Sequence, residues 1–217
     1  MRHQYHQQLD SIVSEIASMT RTVGQATNRA TEALFSADAT LAEEVISGDA
    51  EIDEGRERVE ERSFELLATQ QPVAGDLRML VAALRMVGEL ERMGDLAVHV
   101  AKVARLRYPE KAVPEDIQDT IRGMATVAED MVRAAAEVIE GRDLDAARAL
   151  EAKDEEVDRL RRSIFHTLLA DDWQGSVEAA IDIALLGRYY ERIADHAVSM
   201  ARRVVYLVTG EQPAHVS

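Results

Sequence analysis

Two octapeptides one hundred residues apart, Glu91-Arg-Met-Gly-Asp95-Leu-Ala-Val and Glu191-Arg-Ile-Ala-Asp195-His-Ala-Val, each set a glutamate four positions before an aspartate. Residues so spaced share one face of a helix, where two like charges repel. A second pair, Asp49 and Asp53, has its own copy in Asp154 and Asp158. With 40 acids in 217 residues, chance alone would give about seven such pairs. Placement is therefore the signal. Glu91 continues the 4-3-4 apolar series Leu80, Leu84, Val87, so it takes a core-like position, and Asp49 and Asp53 border the stripe through Val45 and Ile52. If two helices in each half face one another, four carboxylates converge. Oxygen-only donors of this kind suit hard cations such as Mg, Mn, Ca or ferric iron.

Magnitudes separate the readings. One exposed like-charge pair at this spacing costs about 0.2–0.5 kcal/mol, so a solvated acidic face would be harmless. Four carboxylates at a partly dry seam cost several times more unless protonated or neutralised by metal. The flanking Arg92 and Arg192 offer a simpler alternative of internal ion pairs, which would leave a metal-free helical scaffold. His99, four beyond Asp95, is a candidate nitrogen ligand, but its counterpart is Ser199. His196 follows Asp195 directly and points elsewhere on the helix. A di-metal oxidase or metal-storage bundle also uses inward acids, but that class carries Glu-x-x-His. None of the six His here has a Glu three residues earlier. There is no P-loop, no Gly-x-Ser-x-Gly and no evident catalytic set, so the expectation is a non-enzyme.

The elements that must position these acids are helices. Hydrophobic residues make up 47% and aromatics 4%, with only 4 Pro and 11 Gly, a composition typical of helix bundles. The first helix carries Leu9, Ile12, Ile16, Met19, Val23, Ala26, Ala30 and Ala33. The second starts near Asp38 or Thr40, either able to cap it, and Pro72 and Gly75 separate it from the third. Pro109 and Pro114 bracket a polar linker, after which the series restarts. Ile117, Ile121 and Met124 repeat Ile12, Ile16 and Met19 at an offset of 105, as Val157 and Asp158 repeat Ile52 and Asp53. Gly141 ends the fourth helix and Asp143 caps the fifth; the sixth repeats the third at an offset of 100. The expected fold is all-α: two tandem pseudo-symmetric three-helix bundles, spanning 1–108 and 115–217. Met residues 19, 79, 86, 93, 124 and 131 read as core, Trp173 as the closure of a bundle end, and Gln212 to Ser217 as a frayed tail.

Bulk properties narrow the partners. The formal charge of −15 argues against a broad basic field for nucleic acid or anionic lipid. No run approaches the roughly 20 apolar residues of a membrane span, and the first residues lack a signal peptide's apolar segment. Cys is absent, so disulfides and thiolate sites are excluded. The expected location is cytoplasmic.

The repeated Glu-Arg-[Met/Ile]-[Gly/Ala]-Asp segments, the Pro72-x-x-x-Asp76-Leu-Arg78 start of the third helix and the opening Met-Arg-x-x-x-His-x-x-Leu together resemble the PhoU family, over essentially the whole chain. That resemblance implies a negative regulator of phosphate uptake and phosphate-starvation signalling. Such a protein links the ATP-binding subunit of a phosphate ABC transporter to a sensor histidine kinase. It would lie at the inner face of the membrane only through its partners, and many relatives are homodimers. The family's metal motifs map onto Asp49, Asp53, Glu91 and Asp95, and onto Asp154, Asp158, Glu191 and Asp195; iron, zinc, manganese or magnesium would be held there. The chain departs from the pattern where Ser176-Val-Glu replaces Asp-Leu-Arg and where Leu96 stands opposite His196, so the two sites are expected to differ.

Overall fold

The computed structural model describes residues 2–211; Met1 and the segment read as a frayed tail, Gln212 to Ser217, lie outside the described residues. Six α-helices follow in order: α1 Arg2–Ser36, α2 Ala39–Gln70, α3 Ala74–Arg107, α4 Gln118–Gly141, α5 Leu144–Leu168 and α6 Val177–Thr209. A 3-10 turn, Glu115–Ile117, leads into α4. With 24 to 35 residues, the helices run about 36 to 52 Å at 1.5 Å per residue. The N-caps act where the sequence places them, whereas the left-handed residue that closes α4 is Arg142, one beyond Gly141. The Asp38 carboxylate accepts from the Leu41 amide at 2.9 Å, and Asp143 from Asp145 and Ala146. Gly75, by contrast, is no breaker: α3 begins at Ala74, so this glycine lies in its first turn.

Within each lobe the three helices pack on one another, but the lobes are not two beads on a string. α1, α3, α6 and α4 form a closed ring of neighbours, with α2 outside against α1 and α3, and α5 outside against α4 and α6. One continuous core runs through both halves. At its centre the fully buried Tyr190 of α6 meets Thr31 of α1 across the ring, oxygen to oxygen at 3.0 Å. The six Met residues read as core pack there, Met79 at its margin, and Trp173 packs against it from the α5–α6 turn.

The linker is also less polar in effect than in composition. α3 and α4 sit on opposite corners of the ring, so the chain between them must cross its end. It does so by burying Ala112, Val113 and Ile117, and Gln118 donates its side-chain amide to the Val113 carbonyl at 3.1 Å. The other end of the ring has no crossing segment among the described residues. There a cavity of about 450 Å³ opens between α1, α3, α4 and α6, walled by Leu9, Met79, Ile139 and Leu207.

Candidate metal sites

α2 lies so close to α3 that a Cβ at Gly94 would sit 2.9 Å from Asp49 Oδ1 and from Ile52 Cδ1. The small residue beside Glu91 thus serves helix approach, and the space it leaves is filled by protein. That approach brings the first acidic set into one groove. Burial pushes the Asp49 carboxyl above its ordinary value of 3.8, and Asp95, Asp53 and Glu91 push it further, against the pull of Lys102. The second set repeats the pattern between α5 and α6. Asp154 is raised by burial, then by Asp195, Asp158 and Glu191, with Arg202 opposing. Asp195, exposed as a residue but with its carboxyl partly shielded from water by its neighbours, is raised by that shielding and then by Glu191, with Arg188 opposing. All eight predicted residues thus lie within electrostatic reach of Asp49 or of Asp154.

The grooves are not closed cages. Asp53, Asp95, Asp158 and Asp195 are exposed, Asp49, Glu91 and Asp154 half-buried, and only Glu191 is buried. Among the described residues no three acidic or His side chains stand close enough together to hold an ion as they are placed. Nor do the expected arginines do the pairing. Arg92 reaches Glu89, at 4.0 Å, rather than Glu91. On Glu191 the partners are Arg188 at 2.6 Å, one turn earlier on α6, and Arg161 of α5 at 3.2 Å. The residue matching Arg188 in the first lobe is Gly88, where a Cβ would meet nothing within 4 Å. The residue matching Arg161 is Arg56, which bonds Glu60 at 3.3 Å and lies in the field of Glu91 and Asp53.

Sequence reasoning missed Glu89. It is 7% exposed in the seam between the lobes, where three groups of α6 donate to it: His196 Nδ1 at 2.6 Å, Ser199 Oγ at 3.2 Å and Arg203 Nη2 at 2.7 Å. Burial alone would raise this carboxyl; the hydrogen bonds from His196 and Arg203 outweigh it and hold the group at about 2. The signal was available, because Glu89 interrupts a second apolar stripe between Met86 and Met93, both buried. His196 is therefore committed to the seam, away from the carboxylate grooves. His99 is exposed, donates to the Asp95 carbonyl of its own helix at 2.6 Å, and has its ring 5.3 Å from that of Tyr189.

The repeat in the helices is also a repeat in kinship. The PhoU domain matches twice, over residues 16–104 and again over 121–204. The chain belongs to the PhoU family. It is 45% identical over 213 residues to the phosphate-specific transport system accessory protein PhoU homolog 2 of Mycobacterium tuberculosis, covering 98% of this chain and 100% of that one. The PhoU homolog 1 of Mycobacterium leprae is also 45% identical, with 98% and 96% covered. The crystal structure of PhoU from Pseudomonas aeruginosa superposes with a TM-score of 0.87 at 30% identity, over 95% of this chain and all of that one.

In the first groove the donor chemistry suits the hard cation that the PhoU resemblance implies, although the carboxylates as placed would have to draw closer to ligate it together. The donors are all oxygen, Asp49 has its carboxyl raised by burial and then by the other acids, and among the described residues no guanidinium bonds Glu91. In the second groove the donor chemistry is the same, but two arginines already hold Glu191.

Proposed function

We propose that this chain is a non-enzymatic regulatory adaptor of phosphate uptake. In this reading it joins the ATP-binding subunit of a phosphate ABC transporter to a sensor histidine kinase and holds down the starvation response when phosphate is plentiful. The observation that carries it is kinship over nearly the full chain to proteins named as accessories of a phosphate-specific transport system, joined to an acidic groove repeated in each lobe. No helix among the described residues is long and apolar enough to cross a membrane, so association with the membrane runs through the partners.

Asp49, Asp53, Glu91 and Asp95 would hold the cation in the first lobe, and Asp154, Asp158, Glu191 and Asp195 in the second. A bound metal supplies the positive charge that cancels their mutual repulsion. With that repulsion cancelled, the existing packing of α2 on α3, and of α5 on α6, would be held more firmly on the ring. Ligands that bind only the folded state raise its stability by mass action, so Mn or Mg should raise the melting temperature. The test combines Glu91→Gln with Asp95→Asn. Metal content should fall, the melting shift on adding Mn should shrink, and a phosphate-starvation reporter should be released in phosphate-rich cells. Unchanged metal content and melting would end the metal part of this reading. An unchanged reporter in cells lacking the whole chain would end the regulatory part.

A second reading is favoured by one contact set. Arg188 and Arg161 on Glu191 make the second groove an ion-paired structural element that needs no metal. Elemental analysis of protein purified without chelator decides between one loaded lobe and two.

A further inference from the structure

The outer faces of α3 and α6 expose apolar side chains in the same register. On α3 they are Leu77, 40% exposed, and Val81, 37%; on α6, Val177 at 78%, Ile181 at 55% and Leu185 at 41%. Leu77 and Val81 correspond to Val177 and Ile181 at the offset of 100 that relates the two helices, so the stripe is duplicated with the fold. Steps of four keep each stripe on one helical face, the spacing with which a helix meets another helix. α3 and α6 run antiparallel, as the Arg107–Asp182 bond at 2.5 Å between the end of one and the start of the other requires. The two stripes therefore lie at opposite ends of one face.

Each stripe runs into an exposed arginine on the same side of its helix, Arg85 after Val81 and Arg192 after Leu185. Neither has a hydrogen-bond or ion-pair partner among the described residues. Elsewhere in the seam guanidiniums are matched, as Arg107 is by Asp182 and Arg203 by Glu89. In a chain of net charge −15, an unmatched guanidinium at the end of an apolar stripe selects an acidic partner.

We propose that this face docks amphipathic helices of a protein partner, one at each end, each bearing an apolar i, i+4 row followed by carboxylates. The inference goes beyond the adaptor reading, because neither metal nor phosphate enters it. The duplication gives two similar sites: the apolar i, i+4 pairs correspond, while Arg85 stands opposite Leu185 and Arg192 opposite Arg92, so each end supplies its arginine from a different position.

The probe is a fluorescein-labelled synthetic helical peptide with leucines at i, i+4 and i+8 followed by two glutamates, titrated into the full chain. Two peptides should bind per chain. Ile181→Glu with Arg192→Glu should remove one site and Leu77→Glu with Arg85→Glu the other, each weakening its site by about tenfold or more. All four residues are exposed, so helicity by circular dichroism should not change; Ile181→Ser and Leu77→Ser replace the charged variants if it does. Equal binding by the peptide with lysines in place of glutamates overturns the proposal, as does binding untouched by both variants. So does a chain that is dimeric in solution and monomeric as Ile181→Glu, which would make a second copy the occupant. Co-sedimentation with anionic phospholipid vesicles that the same variants abolish would assign the face to lipid instead. The adaptor reading is tested separately in cells: the peptide can fail while the reporter responds, and the reverse.

Discussion

The two acidic grooves are copies of one design that have parted at a single helical turn. Both set two acids of an outer helix against two of the third helix of the lobe, and in both the first acid of the outer helix, Asp49 or Asp154, is pushed above its ordinary range by burial and then by the others. One turn before the glutamate, the first lobe has Gly88 and the second has Arg188. The first groove has Lys102 and Arg56 in its field but no guanidinium bonded to its glutamate; the second has two bonded to Glu191. Duplicated folds can therefore keep the arrangement of a site in both halves while changing what neutralises it.

The largest test of this asymmetry lies in the seam. Glu89 of α3 holds three donors of α6, whereas its counterpart on α6 is Tyr189, which packs beside His99. Glu89→Ala strands His196 and Arg203. Breaking a buried pair costs about 3–5 kcal/mol, and the quarter of Arg203 that remains exposed places this one near the lower end. Tyr189→Phe should stay within about 0.5 kcal/mol, as changes away from buried networks do. Urea unfolding of both variants measures the difference; equal losses would mean the seam is symmetric in energy if not in sequence.

Next comes the helix approach. Gly94→Ala drives a methyl group into Asp49 and Ile52, both at 2.9 Å, and overpacking of this kind costs about 1–3 kcal/mol. The second lobe already has Ala194 at this place, buried; the reverse change, Ala194→Gly, should cost only about 0.5–1 kcal/mol through helix propensity. If Gly94→Ala proves neutral, α2 can move away from α3, and the first groove is looser than its contacts indicate.

How far the sequence carries follows from the same residues. The repeat, the six helices, their N-caps and the i, i+4 spacing of the eight acids are local patterns, and local patterns survive in one dimension. The closing of two three-helix lobes into one ring did not, because it depends on second apolar stripes such as the one Glu89 interrupts, and a buried acid reads as solvent on a helical wheel. The crossing linker was hidden for a related reason: Ala112 and Val113 are two small residues inside a charged stretch, and only the diagonal placement of α3 and α4 makes them core. Arg161 and Arg188 were missed as the partners of Glu191 in favour of the adjacent Arg192, although a residue next along a helix points some 100° away.

Titration should separate the grooves from the seam by sign. The carboxyls of Asp49, Asp154 and Asp195 are raised, so the folded state binds their protons more tightly than the unfolded chain does. Their destabilising effect sets in above the ordinary value of 3.8 and is relieved as pH falls through the raised values. Glu89 is depressed, so its contribution is present above its ordinary value of 4.5 and is lost between there and about 2. On acidification from neutrality, stability should first rise and then fall. Saturating Mn should remove the rise and leave the fall. A profile that only declines from pH 7 would mean that the grooved carboxylates repel too weakly to count.

The smallest effect is the one that goes to the difference itself. Arg188→Ala frees Glu191 of its 2.6 Å partner and leaves only Arg161 at 3.2 Å. Arg188 is half exposed, so the pair is worth at most about 1 kcal/mol, and Mn affinity at the second groove should improve by no more than about fivefold. Gly88→Arg grafts the same guanidinium one turn before Glu91, where there is open space for it, and should weaken the first groove by a similar factor. Isothermal titration with Mn on the two variants reads both changes. If the two factors agree, one residue accounts for the divergence of the lobes. If Arg188→Ala tightens the second groove while Gly88→Arg leaves the first unmoved, the ordering of the donors lies instead with Arg56 and Lys102, whose charges already face the first set of acids from α2 and α3.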